Sequence, residues 1–238
     1  MINEKIAKAM LEEFDGCDCD DPGSPASPSV WLFGIEWGNP KKKENKIVVK
    51  PEDDGYSIKT QLTYQYNQKA FKLLAAMNGY DVSEYREFAQ KHQPFVNGSG
   101  GYFKGNLYPY ACNKVDEWPE DVKIEIGISD KEQYRQWCRE FRLPVVKQWV
   151  DKYQPKLFIG VGITCRDEFS SAVFGKGVNF NKEMITDKKI DRPIFHFSDE
   201  SRKLVVVPHF SGRYGLRSDI LLQEAGKFIE GLLRPGQC

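Results

Sequence analysis

The sequence predicts an α/β fold: a three-layer α/β/α sandwich around a central, mostly parallel sheet. Three continuous apolar runs, VWLFGIEW (30–37), KLFIGVG (156–162) and KLVVVPHF (203–210), have the length and the β-branched or aromatic content of buried strands. Segments with helical periodicity separate these runs along the chain. Buried strands that alternate with helices form parallel sheets covered by helices on both faces, and this order therefore predicts the sandwich.

Length and composition are those of an ordinary folded protein of one or two domains. The 238 residues include 34 acidic and 34 basic side chains, and 40% of them are hydrophobic, so the chain can build one substantial core. Zero net charge argues against a protein that coats nucleic acid by bulk charge. A local basic patch that binds nucleic acid is still compatible with zero net charge. Because there is no membrane-length apolar run and no signal-peptide core, we expect a cytoplasmic protein without a membrane partner.

The first 27 residues are predicted to be an appendage of a single domain that spans residues 28–238. Residues 2–14 carry apolar side chains at every fourth position, which indicates a helix. The acidic and then Pro- and Ser-rich stretch that follows is typical of a linker. The helix either packs on the domain or docks a partner, and the sequence favours neither alternative.

Periodicity and turn signals define the elements of the first half. The first strand is followed by a lysine-rich loop and by a short strand candidate, KIVVK (46–50). Helices are predicted over residues 64–80, where an Asn-Gly pair ends the helix, and over residues 82–92. A Gly-rich segment then leads into a strand around Asn106 to Tyr110.

Helices and strands alternate more clearly in the second half. Ser129 and Glu132 form a capping box that predicts a helix from Asp130 through residue 142, and Pro144 either kinks this helix or opens a second one. The remaining predicted elements are the strand 156–162, the helix 165–175, the strands 192–198 and 203–210 joined by the turn DESR, and the amphipathic helix 218–233.

Polar residues follow three of the predicted strands. Glu36 ends the first strand, Asn106 belongs to the second, and His209 and Ser211 follow the last one, just before the final helix. Ligands bind beyond the carboxyl ends of parallel strands, so these side chains are expected to converge on one crevice. A carboxylate, an amide and an imidazole can together orient water, read a base edge and donate a hydrogen bond.

The order of these strand ends resembles that of the uracil-DNA glycosylase superfamily. The matching pieces, in chain order, are GIEWG (34–38), NLYPY (106–110), PKLFIGVG (155–162) and HFSGR (209–213). The resemblance is one of order and spacing across residues 28–235. Two positions depart from the family's pattern, since Trp37 and Phe210 stand where proline is usual.

This resemblance implies a DNA glycosylase that hydrolyses the N-glycosidic bond of uracil or another deaminated base in DNA. Glu36 would orient the attacking water, and His209 would donate a hydrogen bond to the departing base anion. Asn106 would read the edge of a base flipped out of the stack. The aromatic floor that such a base needs has four candidates, Trp37, Phe103, Tyr56 and Tyr102.

Other residues of the same loops would complete the substrate site. The resemblance assigns substrate binding to Gly34, Ile35, Ser211, Gly212 and Arg213. Positive charge at the same sheet edge would come from Arg217 and from Lys41, Lys42, Lys43 and Lys46. An ordinary solvated loop is the alternative explanation of the lysines. The implied partner is DNA, single-stranded or mispaired, bound by a monomeric protein.

No cofactor is needed for this chemistry, and no metal site is assigned. Some members of the superfamily hold an iron–sulfur cluster on four cysteines, and Cys17, Cys19, Cys112 and Cys138 fall in comparable regions. The CxC spacing is tighter than the family's pair, and Cys138 shares a helical face with two aromatic residues. Core packing or a zinc site are therefore alternatives for these cysteines.

Each of the three central residues also has a purely structural alternative. Glu36 can cap the following turn or pair with the lysines after it, because a carboxylate next to a buried strand is costly without a partner. Asn106 follows a glycine and can be a turn residue, and His209 can be a histidine satisfied at a strand end. His92 and His196 are interpreted as structural.

Two interpretations of a different class stay open. One is a non-catalytic nucleic-acid-binding protein of the same fold, in which Trp37 blocks the pocket beside Glu36. The other is an unrelated doubly wound enzyme that acts on a nucleotide or nucleoside. Its Gly-rich candidates, GSGG (98–101) and GVG (160–162), match neither a P-loop nor a full dinucleotide-binding motif.

Overall fold

A mixed six-stranded sheet with helices on both faces forms the body of the protein. The computed structural model describes residues 2–12, 14, 22–38, 55–112, 117–188 and 190–234. In these ranges the strands are β1 (Val30–Gly34), β2 (Tyr102–Asn106), β3 (Leu157–Val161), β4 (Asn181–Asp187), β5 (Ile190–Ser198) and β6 (Lys203–Val207). The predicted α/β class is confirmed.

The helices of the described ranges precede, separate and follow these strands along the chain. They are α1 (Glu4–Ala9), α2 (Ile58–Gln61), α3 (Gln65–Met77), α4 (Tyr85–His92), α5 (Glu120–Ile126), α6 (Lys131–Trp137), α7 (Leu143–Tyr153), α8 (Arg166–Phe174) and α9 (Asp219–Leu233). A π-helical segment, Cys138–Arg142, joins α6 to α7 without a break. None of the helices in the described ranges is long and apolar enough to cross a bilayer.

The strand order is β2-β1-β3-β6-β5-β4. The first four of these strands are parallel, and β5 and β4 extend the sheet in antiparallel fashion. The pairing of β1 with β2 sets Gly34 opposite Asn106, so the two strands end together. The carboxyl ends of β1, β2, β3 and β6 therefore lie along one edge of the sheet.

Two hydrophobic clusters cover the two faces of the sheet, and alternate residues of β1 divide between them. Val30 and Leu32 pack with α3 and α9 on one side, which we call the α3 face. Trp31 and Phe33 pack with α7 and α8 on the other side, the α7 face. Successive strand residues point to opposite faces, and β1 is apolar at every position because both faces are covered.

The N-terminal helix packs on the α7 face. Met10 is only 3% exposed within that cluster, and the buried Arg142 guanidinium donates to the Met10 carbonyl at 2.9 Å. Part of the segment interpreted as a linker also lies on the sheet, since Gly23 forms a bridge with Phe103 of β2. These contacts show that the N-terminal helix packs on the domain. The domain boundary after residue 27 stays a prediction.

Several predicted elements differ from the observed ones. The second strand ends at Asn106 instead of beginning there, because Lys104 and Gly105 already pair with β1. The helix expected from Asp130 begins one residue later, since the Asp130 carboxylate is the N-cap and accepts the N–H of Gln133 at 2.9 Å. The sequence prediction missed α2, α5 and β4, and the strand candidate at 46–50 lies outside the described residues.

Helices α3 and α9 approach each other closely at Gly226. A Cβ built on Gly226 would stand 2.3 Å from the Cβ of Ala76 and 2.8 Å from the backbone nitrogen of Met77. The backbone of α9 therefore lies directly on α3. Gly226 lies inside α9 and has an ordinary helical backbone. Glycine is therefore needed here for the close approach of the two helices and not for its conformational freedom.

We expect Gly226→Ala to lower the free energy of unfolding by about 1–3 kcal/mol, because the added methyl forces the two helices apart. The matched control is Gly231→Ala in the same helix, where a Cβ meets nothing within 4 Å. That change should stabilise the protein by up to about 1 kcal/mol through helix propensity. Urea unfolding of both variants measures the difference, and equal effects would contradict the close contact.

Candidate active site

The ends of β1 and β2 form the floor of the candidate site. The N–H of Leu107 donates to the carbonyl of Gly34 at 3.0 Å, which ties the two strand ends together. The Asn106 side chain lies across Gly34: a Cβ on Gly34 would stand 2.6 Å from Asn106 Oδ1 and 3.4 Å from Tyr66 Oη. Glycine at position 34 thus leaves the space that the amide occupies. Asn106 is 7% exposed, so its orientation is fixed by packing.

His209 follows β6 and is held by its own loop. The backbone N–H of Ser211 donates to His209 Nδ1 at 3.1 Å, and Ser211 Oγ lies 2.9 Å from the same nitrogen. Because a backbone N–H can only donate, Nδ1 is the acceptor and the proton of the neutral ring sits on Nε2. Burial lowers the pKa of His209 from its ordinary value, a hydrogen bond with the Ser211 backbone partly offsets this effect, and the nearby Lys69 ammonium lowers the pKa further. The ring is therefore a neutral donor at physiological pH.

Tyr66, in the first turn of α3, connects the strand ends. Its ring centroid lies 6.5 Å from that of His209 and 5.1 Å from that of Phe210, while its hydroxyl borders Gly34. One partly buried side chain thus spans from the end of β1 to the loop after β6. Through Tyr66 the structure places Gly34, Asn106 and His209 in one neighbourhood on the α3 face.

Glu36 turns toward the α7 face, where it forms a buried ion pair. Lys131, the first residue of α6, donates from Nζ to Glu36 Oε1 at 2.9 Å, and the two side chains are only 7% and 6% exposed. Burial raises the pKa of the neighbouring Cys112 thiol, and the Glu36 charge adds to that rise. Glu36 therefore has a helix lysine as an ion-pair partner, whereas the lysines at 41–43, considered as partners from the sequence, lie outside the described residues.

Two of the predicted substrate-binding side chains belong to the core of the α7 face. Phe103 is 1% exposed, and its ring packs against Trp31 and Phe14 at centroid distances of 4.9 and 5.0 Å. Ile35 is buried in the same cluster, and its side chain fills the space beside Gly162. The prediction that Phe103 floors the site is wrong, because β2 directs this ring to the face opposite Asn106.

The other aromatic candidates are placed differently from one another. Trp37 is half-buried, its carbonyl accepts the N–H of Cys112 at 2.9 Å, and it stays a candidate at the end of β1. Tyr102 is at the amino end of β2, where its hydroxyl accepts from Asn78 at 3.1 Å, so it lies at the wrong edge of the sheet. Tyr56 packs edge-on against Tyr64.

The loop after β6, residues 208–217, presents exposed polar and cationic groups beside His209; we call it the His209 loop. Ser211, Gly212 and Arg213 are exposed at its tip, and Gly212 has φ of +81°, a conformation that favours glycine. Arg217 is exposed at its far end. The predicted lysines at positions 41, 42, 43 and 46 lie outside the described residues.

The cysteines give no support to a metal centre in the described ranges. Cys112, Cys138 and Cys165 are buried free thiols there, and burial raises the pKa of all three. Within the residues described, no group of three or more His, Cys, Asp or Glu side chains is arranged to hold a metal ion. Cys17 and Cys19 fall outside these residues, so the four-cysteine cluster stays a prediction.

Sequence reasoning missed Tyr66, Lys69 and Lys131. No motif marks them, since a tyrosine and a lysine in a helix and a lysine at a helix start are common. Their roles arise from contacts between segments far apart in the chain, which the sequence pattern does not encode.

Comparison with known proteins adds no relative: no protein-family model and no curated protein matches this chain. The site is therefore interpreted from its own geometry and chemistry.

We expect Lys131→Met to lower the free energy of unfolding by about 3–5 kcal/mol, because it removes the ammonium beside a buried carboxylate. The double variant Glu36→Gln/Lys131→Met, which removes both charges, should lose less. Lys123→Met is the matched control, since its pair with Glu120 is exposed and contributes less than about 1 kcal/mol. Chemical denaturation gives the three values, and a Lys131 effect as small as that of Lys123 would contradict the buried pair.

Proposed function

We propose that this protein is a DNA glycosylase-like enzyme that hydrolyses the N-glycosidic bond of uracil or another deaminated base in DNA. The observation that carries the proposal is the state of His209. Its Nδ1 accepts the Ser211 N–H, which leaves the proton on Nε2 of a neutral ring. This ring follows the carboxyl end of β6 and faces the Tyr66 ring, whose hydroxyl borders the strand end where the Asn106 amide lies.

Glycosidic cleavage needs such a donor. When the bond between the sugar carbon and the base nitrogen breaks, its electron pair goes to the base, and negative charge develops on a base carbonyl oxygen. A preorganised N–H aimed at that oxygen stabilises the anion and typically contributes about 10²–10³-fold in rate. The water that adds to the sugar carbon then loses a proton to a base or to solvent.

Asn106 supports selection of the base. Its amide offers a donor and an acceptor side by side, which suits the O4 and N3–H edge of uracil, whereas cytosine presents the inverse pattern. Because Gly34 and the packing around it fix the amide, a wrong base would leave buried polar groups unpaired.

The cations of the His209 loop support a nucleic-acid partner. Arg213 and Arg217 are exposed on the loop that carries the proposed donor, and Arg192 reaches the same loop from β5. Such groups bind phosphates and set the register of the strand without reading sequence. A local patch of this kind is compatible with a chain of zero net charge.

One observation favours a second candidate, a non-catalytic nucleic-acid-binding protein with the same site. Lys131 gives the Glu36 carboxylate a structural partner on the α7 face, whereas Asn106 and His209 lie on the α3 face. In the enzyme, the same ammonium would hold one carboxylate oxygen in place while Glu36 orients water. The two candidates therefore differ in what Glu36 does.

The deciding experiment is a single-turnover assay with oligonucleotides that contain uracil, hypoxanthine or xanthine, in single-stranded and mispaired form. We expect an abasic product from the wild type and about a 10²–10³-fold slower reaction for His209→Ala. His196→Ala, on β5 against Phe228, is the control histidine and should react at the wild-type rate. Absence of abasic product from every substrate would reject the enzyme, and retained oligonucleotide binding would then support the second candidate.

Glu36→Gln tests the water-orienting role. The amide keeps the size of the side chain and an oxygen for Lys131 but loses the charge, so we expect a single-turnover rate about 10²–10⁴-fold lower with oligonucleotide affinity retained. The free energy of unfolding is measured in parallel so that a fold defect is recognised. A folded variant with the wild-type rate would assign Glu36 a purely structural role.

A further inference from the structure

The His209 loop closes tightly on itself. A Cβ on Gly215 would stand 2.3 Å from the carbonyl oxygens of both His209 and Ser211, so these backbone segments pass each other in contact. The N–H of Leu216 donates back to the His209 carbonyl at 2.9 Å. The carbonyls of Phe210 and of Leu216 consequently come near each other on the side that faces α3.

Lys69 of α3 occupies this position. Its ammonium donates to the Phe210 carbonyl at 2.6 Å and reaches the Leu216 carbonyl at 3.5 Å, so one cation joins the two ends of the loop. Tyr66 precedes it by three residues, and residues at this spacing lie on the same side of a helix. Helix α3 thus presents a ring and a cation together to the segment that carries His209.

We propose that Lys69 is a positioning residue for His209: its ammonium fixes the loop that presents the imidazole to the site. The proposal deepens the glycosylase assignment and rests on it for its functional meaning. Its structural part, the control of the imidazole by a residue 140 positions earlier in the chain, is independent of any reaction.

The ammonium also acts on the imidazole by charge. Burial and the positive charge of Lys69 both oppose protonation of His209, so the neutral form of the ring is favoured. Burial, Arg217 and Lys72 lower the pKa of Lys69 itself, while Asp219 partly offsets them. The charged groups around the Lys69 ammonium are thus mainly cationic.

Three other described side chains lie near the ring or along its approach, and they are uncharged. Tyr66 faces it from α3, Ser211 bonds to its Nδ1 from the same loop, and Asn106 lies beyond Tyr66 at the end of β2. None of these three side chains carries a charge at neutral pH. Among the described residues, Lys69 is therefore the charged group whose removal should change the ring most directly.

A second cation anchors the loop from the opposite side. Arg192 of β5 donates from Nη2 to the Arg213 carbonyl at 2.9 Å and from Nε to the Gly215 carbonyl at 3.3 Å. These bonds hold the tip of the loop, whereas Lys69 holds its base beside His209. Loss of the Lys69 ammonium should thus change the orientation of the imidazole while Arg192 keeps the loop attached to β5.

The test is long-range ¹H–¹⁵N NMR of the histidine rings across a pH titration of the full chain, for the wild type, Lys69→Met, Lys69→Arg and Lys72→Met. We expect the wild-type His209 to show a proton on Nε2 and a titration midpoint below the ordinary one. Lys69→Met should raise that midpoint and add the other tautomer, and Lys69→Arg should restore the wild-type pattern.

Lys72→Met is the matched control, one turn further along α3, where the lysine pairs with Asp219 at 2.6 Å. It should leave the His209 tautomer unchanged. A folded Lys69→Met protein with the wild-type tautomer and midpoint would overturn the proposal, and thermal unfolding of each variant establishes that it is folded.

The pH profile of single turnover separates this proposal from the proposed function. Protonation of His209 places a proton on Nδ1, which can then no longer accept the Ser211 N–H that orients the ring. Activity should therefore be lost as the pH falls through the pKa of the ring. A raised pKa in Lys69→Met should move this acid limb to higher pH, and the rate at alkaline pH should also fall, because the added tautomer has no proton on Nε2. If the wild type cleaves no substrate, the assigned reaction fails, whereas the NMR result still decides whether Lys69 controls His209.

Discussion

The parallel register of β1 between β2 and β3 is the constraint on which the candidate site depends. It sets Gly34 opposite Asn106 and brings the end of β3, and beyond it β6, to the same edge of the sheet. A slip of one residue would turn the Asn106 side chain to the other face, because strand side chains alternate. The missing Cβ of Gly34 then provides the space in which the amide lies. Polar chemistry at this edge is thus a consequence of apolar strands that pair in one register.

Two polar groups that the chain order suggests should meet are separated, because Glu36 lies beyond the end of β1 at Gly34, where strand alternation no longer sets the direction of a side chain. Asn106, Tyr66 and His209 lie on the α3 face, while Glu36 is directed to the α7 face and pairs with Lys131. The first group borders an exposed cationic loop. The second is a buried ion pair, in which each charge compensates the desolvation of the other. A reaction that used both groups would have to take place across the end of β1.

Loop geometry at the site is maintained by cations that donate to backbone carbonyls. Lys69 and Arg192 approach the His209 loop from α3 and from β5, and both bind carbonyl oxygens instead of carboxylates. Such contacts satisfy backbone acceptors in an irregular segment and at the same time leave positive charge near the site. Rigid support of this kind is what a hydrogen-bond donor requires if it is to be aligned before the substrate binds.

The sequence by itself determined the α/β class, the places of β1, β3 and β6, and the residues that follow those strands, because apolar runs and helical periodicity are local patterns. It also identified Asn106 and His209, since polar residues after buried strands stand out. Tertiary structure alone decided that Phe103 is core, that Glu36 pairs with Lys131, and that Tyr66 and Lys69 adjoin His209. These facts depend on which face a side chain takes and on which distant segments pack together, and neither is encoded in local periodicity.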